Sequence, residues 1–211
     1  MNIQSKRVAK VVLAVLPLLG APALADDAAG EQVPPHERER RGAVLVELQP
    51  PALDASMYGV RMDISPTYES PVSFGLVARG GQWGNSVGVR TRFEGAELGE
   101  VKLNYAVGAD ARYTLVTLFN GTLRPFVGVT AGMEEFVARA GKGSLQNAST
   151  AAFLEPAVGV SWRPGAGRLG LVARGGPGFT FTDVRELRIS TGDLKLRQVY
   201  PTASLGLLVV L

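Results

Sequence analysis

The sequence predicts an all-β chain: an antiparallel, up-and-down transmembrane β-barrel of about eight strands. Three observations lead there. The chain opens with an export signal. After it come short segments in which apolar and polar side chains alternate with period two. The connections between those segments alternate in length, as expected of a barrel with tight turns on one rim and longer loops on the other.

The export signal has three parts. Lys6, Arg7 and Lys10 give a positive start, Val11 to Leu19 an apolar core, and Ala23-Leu24-Ala25 a small-x-small cleavage site. Residues 1–25 are therefore expected to be removed, leaving Asp26 first. The apolar core is too short for a spanning helix, which needs about 20 apolar residues. The 211-residue chain carries 22 Lys and Arg against 19 Asp and Glu. Three of those bases and none of the acids lie in the signal, so the exported chain is neutral at 19 of each. The basic balance belongs to the signal, and no nucleic-acid partner is expected. The absence of cysteine excludes a disulfide scaffold, a thiolate metal site and a lipid-modified cysteine anchor. No cofactor or metal is expected. Residues 26–41, charged and containing Pro34 and Pro35, read as a flexible periplasmic tether.

The barrel is expected over residues 42–211, with strands near 42–50, 57–65, 71–81, 101–117, 123–137, 151–163, 167–182 and 195–211. Short turns fall around Pro66 to Ser70, at Asn120-Gly121, and at Pro164 to Gly167. Residues 82–100, 138–150 and 183–194 are longer and polar, and 51–56 is intermediate. The stretch 86–94, NSVGVRTRF, also has strand character and is expected as a strand extension within the second outer loop. The heptapeptide GLVARGG occurs at Gly75–Gly81 and again at Gly170–Gly176, in strands four apart. This is consistent with a duplicated four-stranded unit or with convergent use of small residues.

Side-chain parity separates two faces. In the fourth strand Leu103, Tyr105, Val107, Ala109, Ala111, Tyr113 and Leu115 oppose Asn104, Ala106, Gly108, Asp110, Arg112 and Thr114. The fifth opposes Val127, Val129, Ala131 and Met133 to Gly128, Thr130, Gly132 and Glu134. The sixth opposes Leu154, Val158, Val160 and Trp162 to Glu155, Ala157, Gly159, Ser161 and Arg163. Period alone does not say which face meets solvent. Membrane-length apolar faces, aromatics near strand ends (Tyr113 and Trp162, with Tyr58 and Tyr105) and small residues on the polar face favour lipid outside. Parity then sends Glu47, Asp63, Asp110, Glu134 and Glu155 inward, with Arg61, Arg79, Arg112, Arg163 and Arg174. A lumen of eight strands is only wide enough to be filled by side chains. Buried charges need partners, so these ten are expected to form an ion-pair network that plugs the barrel.

The segment 42–211 resembles the small OmpA-like and OmpX-like outer-membrane barrels. The resemblance is carried by Arg124-Pro125-Phe126-Val127-Gly128 opening a strand after a short turn, by the Gly-alternating Ala157–Arg163 before a Pro-Gly turn, and by a last strand reaching the final residue. The chain departs from that pattern in ending Val209-Val210-Leu211, without a terminal aromatic. The resemblance implies a cofactor-free protein of the bacterial outer membrane with a structural or surface-interaction role. Its expected partners are outer-membrane lipid, the barrel-assembly machinery during biogenesis, and an unidentified contact at the 138–150 and 183–194 loops. An enzyme is not expected, because His36 precedes the barrel and cannot readily serve as a base at a strand end. Two alternatives stay open: a narrow pore for ions or small solutes, and a soluble periplasmic lipocalin-like barrel with an apolar interior.

Overall fold

The computed structural model describes residues 43–49, 57–66, 70–84, 87–143, 147–164, 168–182 and 186–210, with 43–49 and Met57 described at the backbone only. The expected signal, the tether and the 51–56 connection lie outside the described residues. Eight strands close a barrel: β1 (Ala43–Gln49), β2 (Met57–Ser65), β3 (Val72–Gly81), β5 (Glu100–Thr114), β6 (Leu123–Arg139), β7 (Asn147–Trp162), β8 (Leu169–Phe181) and β11 (Val199–Val210). Each pairs antiparallel with its neighbour, and β1 closes on β11 from Leu45↔Val210 to Leu48↔Leu207. Closure leaves the barrel no free edge. The remaining elements sit in two of the loops: helix α1 (Val87–Arg92) with the short β4 (Phe93–Glu94) between β3 and β5, and the hairpin β9 (Glu186–Ile189) and β10 (Gly192–Leu196) between β8 and β11. β4, β10 and β9 form a separate three-stranded sheet in that order.

Exposure settles the orientation that period could not. Around the wall Phe74 is 65% exposed, Leu76 63% and Val158 67%, while Arg61 is 2% and Asp110 3% exposed. Apolar side chains face out and charges face in, the inverse of a soluble barrel. Tyr113, Trp162 and Phe74 mark the turn rim of the apolar band; Tyr58, Tyr105 and Phe181 mark the loop rim. Tyr105 and Tyr113 are eight residues apart on β5. At about 3.3 Å per residue and a tilt of about 40°, the two girdles are roughly 20 Å apart along the axis.

Above Tyr105 the pattern reverses. The β5–β6 register shifts between Leu103 and Tyr105, a β-bulge that turns the next residues over. Val101 and Leu103 therefore point inward and are buried, while Asn104 hydrogen-bonds Glu135 (2.7 Å) and Arg139 pairs with Glu100 (2.6 Å), all four partly exposed. This corrects the expectation of a lipid-facing Leu103: simple alternation cannot carry a phase through a bulge.

Three other expectations are also corrected. Residues 87–92 are helical, not extended. Val89, Arg92 and Phe93 are buried, which is the i, i+3, i+4 spacing of one helix face, so packing overrides the β-propensity of the valines. The expected 138–150 loop is strand at both ends, since β6 runs to Arg139 and β7 starts at Asn147. The last segment divides into β10, which belongs to the small sheet, and β11, which belongs to the barrel. The ladder between β7 and β8 is interrupted between Leu154↔Phe179 and Val158↔Gly175. Pro156 and Pro177 lie in that gap, and proline has no N–H to give.

Candidate functional site

The lumen holds charged side chains in three tiers. The middle tier centres on Asp110 of β5. Arg61 of β2 and Arg174 of β8 each approach its Oδ1 at 3.3 Å. The Thr130 hydroxyl of β6 donates to the same carboxylate and accepts from both arginines at 3.1 Å. Four side chains from four strands thus meet across the barrel. Toward the turn rim, Arg112 pairs with Asp63 at 3.2 Å and stacks on Phe126 at 4.2 Å. Phe126 joins Val172 and Leu208 in a small apolar cluster, and its ring lies where a Cβ on Gly159 would be, so that glycine makes room for it. Arg124 donates to the Ser70 carbonyl at 3.0 Å. A water-sized recess lies among Ser65, Ser73, Arg112, Arg124 and Ser161.

The loop-rim tier joins barrel and loops. Arg79 makes a two-pronged pair with Glu155 at 3.1 and 2.7 Å, and the Tyr200 hydroxyl donates to the same carboxylate at 3.1 Å. The Tyr200 ring packs over Gly178, where a Cβ would collide with it. Glu134 is paired with Arg92, which comes from α1 and not from the wall. Arg92 also stacks on Tyr200 at 3.8 Å and on Phe136 at 4.7 Å. Burial works against its charge, but Glu134, Tyr200 and Glu155 outweigh that and raise its pKa above the ordinary arginine value.

Above this tier the two long loops build a cap. Leu187, Ile189, Leu194, Leu196 and Phe93 from the small sheet, with Val89 of α1, pack on Val101, Leu103, Phe136, Ala138, Ala151 and Phe153 of the strand extensions. Phe93 and Phe136 meet edge to face, centroids 5.0 Å apart. The outer side of the sheet is charged and paired: Arg188 with Asp193 (4.0 Å), Lys195 with Glu186 (3.6 Å) and Arg197 with Glu94 (4.0 Å).

Of the residues expected in the lumen, Arg61, Asp63, Arg79, Asp110, Arg112, Glu134, Glu155 and Arg174 lie in these tiers. Arg163 is half-buried just past the end of β7. Glu47 sits opposite Arg61 in the β1–β2 ladder, and its side chain lies outside the described residues. The two GLVARGG copies fall on β3 and β8, four strands apart, but at different depths: Arg79 joins the loop-rim tier and Arg174 the middle one. Sequence reading missed Arg92, Arg124 and Tyr200, and it placed Thr130 on the polar face without giving it a bonding role. Parity does place Arg124, Thr130 and Tyr200 inward, so a search for hydrogen-bonding as well as charged residues would have found them. Nothing local marks Arg92, because it reaches the lumen from a loop.

No protein-family model matches the chain, and no curated protein is significantly similar to it. Solved structures similar in overall course include the following three. Neisserial surface protein A (NspA) has 16% identity and a TM-score of 0.46, with 80% of this chain and 94% of that one covered. The N-terminal β-barrel domain of Pseudomonas aeruginosa OprF has 14% identity and a TM-score of 0.47, covering 82% and 98%. Ail, the attachment invasion locus protein of Yersinia pestis, in complex with the heparin analogue sucrose octasulfate, has 10% identity and a TM-score of 0.37, covering 81% and 96%. The fold itself rests on the closed strand order: this chain is an eight-stranded antiparallel up-and-down β-barrel with an apolar exterior and a charged interior.

Proposed function

We propose that the protein is a non-enzymatic outer-membrane barrel whose lumen is closed by its own side chains and whose cap is the surface it presents to partners. The observation that carries this reading is the knot at Asp110. Arg61, Arg174 and Thr130 reach one carboxylate from three other strands, so the middle of the lumen is crossed by bonded side chains. The Arg79–Glu155–Tyr200 group and the loop-borne Arg92 supply a second closure above it. The exposed apolar band, bounded by aromatics, supports lipid as the surrounding medium. In this reading the signal is cleaved after Ala25, the barrel-assembly machinery inserts the chain, and outer-membrane lipid covers the band. The buried carboxylates serve as partners to arginines, which suits a structural role better than acid–base chemistry.

Planar-bilayer recording tests the closure. The expected result is a silent wild type, with current appearing only when Asp110→Ala is combined with Glu155→Ala. Steady unitary currents from the wild type would establish the pore reading instead. Carbonate extraction of cell envelopes tests the membrane assignment: the protein is expected to stay with the membrane pellet, and its release would favour the soluble barrel.

A further inference from the structure

The β5–β6 connection is apolar where a periplasmic turn is normally polar. From Tyr113 to Leu123 the chain carries no charged side chain. Leu115 is 57% exposed, Val116 46%, Leu118 38% and Phe119 76%. The hairpin is well formed: Leu118 and Leu123 exchange backbone hydrogen bonds at 2.8 and 3.2 Å, and Thr122 donates to the Phe119 carbonyl at 3.2 Å. Three successive residues at its tip have positive φ: Phe119 (51°), Asn120 (54°) and Gly121 (87°). Asn and Gly suit that region. A bulky aromatic does not, and its presence there stores strain. Because the Phe119 ring is exposed, packing within the chain does not offset that strain. An apolar contact outside the chain would.

We infer that this turn is a lipid anchor, with Phe119 seated in the headgroup layer of the phospholipid leaflet at the turn rim. The inference rests on the membrane reading above and extends it past the girdle. Two placements argue for lipid over water or a protein partner. The turn continues the apolar band, since Leu115, one residue past the end of β5, keeps the exposed parity of Tyr113. Its depth also matches: Leu123 is in register with the girdle residue Trp162, and the tip lies only two residues beyond the Leu118–Leu123 bridge. At about 3.3 Å per residue this is roughly 5–7 Å, the thickness of an interfacial layer. Arg112 and Arg124, the charges flanking the segment, both turn into the lumen and leave the outer surface of the turn uncharged.

Tryptophan reporters test the placement. In a Trp83→Phe/Trp162→Phe background, Phe119→Trp and, separately, Val129→Trp are folded into phosphatidylcholine vesicles whose acyl chains are brominated near the glycerol or near the methyl end. Folding of each variant is confirmed by its heat-dependent shift in electrophoretic mobility. Phe119→Trp is expected to be quenched most by the shallow bromine and Val129→Trp most by the deep one. If Val129→Trp is quenched while Phe119→Trp emits as in water, the anchor is wrong and the membrane reading stands. A blue-shifted, unquenched Phe119→Trp would place the ring against protein and also overturn the anchor. If neither reporter is quenched in folded protein, the membrane reading falls and the anchor falls with it.

Discussion

Replacing Arg92 by methionine tests whether the cap is held by the lumen. Arg92 and Glu134 are 4% and 1% exposed at their side chains. Removing the arginine leaves a buried carboxylate without its main counter-charge, a loss of about 3–5 kcal/mol for a buried pair. Arg92 also stacks on Tyr200 and Phe136, but those contacts act on the same group and are not added. The Arg188–Asp193 pair on the outer face of the cap gives the contrast: at 4.0 Å and 79% and 49% exposed, it is worth about 0–1 kcal/mol. Arg92→Met is therefore expected to lower the free energy of cap docking by about 3 kcal/mol or more, and Arg188→Ala to leave it nearly unchanged. Native-state hydrogen exchange at the amides of β9 and β10 reads that free energy directly. The double variant Arg92→Met/Glu134→Leu removes both charges and is expected to recover most of the loss, because apolar replacements of a buried pair are often neutral. A loss below about 1 kcal/mol in the single variant would refute the argument, since that is the value of a solvent-screened pair. So would a double variant no more stable than the single one.

Further outcomes follow from the same geometry. Asp110→Asn leaves Arg61 and Arg174 facing a neutral amide and is expected to cost the barrel about 3 kcal/mol or more in urea titrations of the vesicle-folded protein. Val129→Arg, in the middle of the outward face of β6, is expected to cost about 2–4 kcal/mol in lipid. Thr150→Arg, on the exposed face of the β7 extension beyond the band, is expected to cost almost nothing in the same assay. Gly159→Val would drive a side chain into the Phe126 ring and is expected to destabilise by at least about 1–3 kcal/mol, as overpacking does, with Phe126→Ala restoring part of the loss.

The barrel was largely legible in the sequence because its wall obeys a local rule. Residues 123–134 of β6 and 153–162 of β7 alternate in burial, and most inward positions show as Gly, Thr, Ser, Arg or Glu among apolar neighbours, with Phe126, Phe153 and Ala157 the exceptions. Direction was harder. An apolar stripe has the same period whether it faces lipid or a core, and only closure of the sheet with Asp110 and Arg61 inside decides the matter. Two features had no local signal. The bulge between Leu103 and Tyr105 depends on pairing with β6, and the residues around it look like ordinary strand. The cap depends on contacts between residues far apart in sequence, such as Phe93 with Leu196 in the β4–β10 ladder. Val87, Val89 and Phe93 taken alone favour strand. Their helical spacing becomes visible only when Val89, Arg92 and Phe93 are seen to share one buried side.

The cap and the lumen both lose cohesion on cooling, for different physical reasons. The side chains under the cap form an oil-like core, whose cohesion weakens on cooling and whose exposure raises the heat capacity. The lumen is held by ion pairs, and the dehydration that opposes such pairs becomes less costly on heating. Arg92 touches both, since it stacks on Phe136 of that core and binds Glu134 within the wall. Both contributions to cap attachment therefore weaken on cooling, and the cap is expected to loosen in the cold from its apolar core and its ion pair together. Arg92 is thus the side chain through which a fall in temperature reaches both the core of the cap and its tie to the barrel wall.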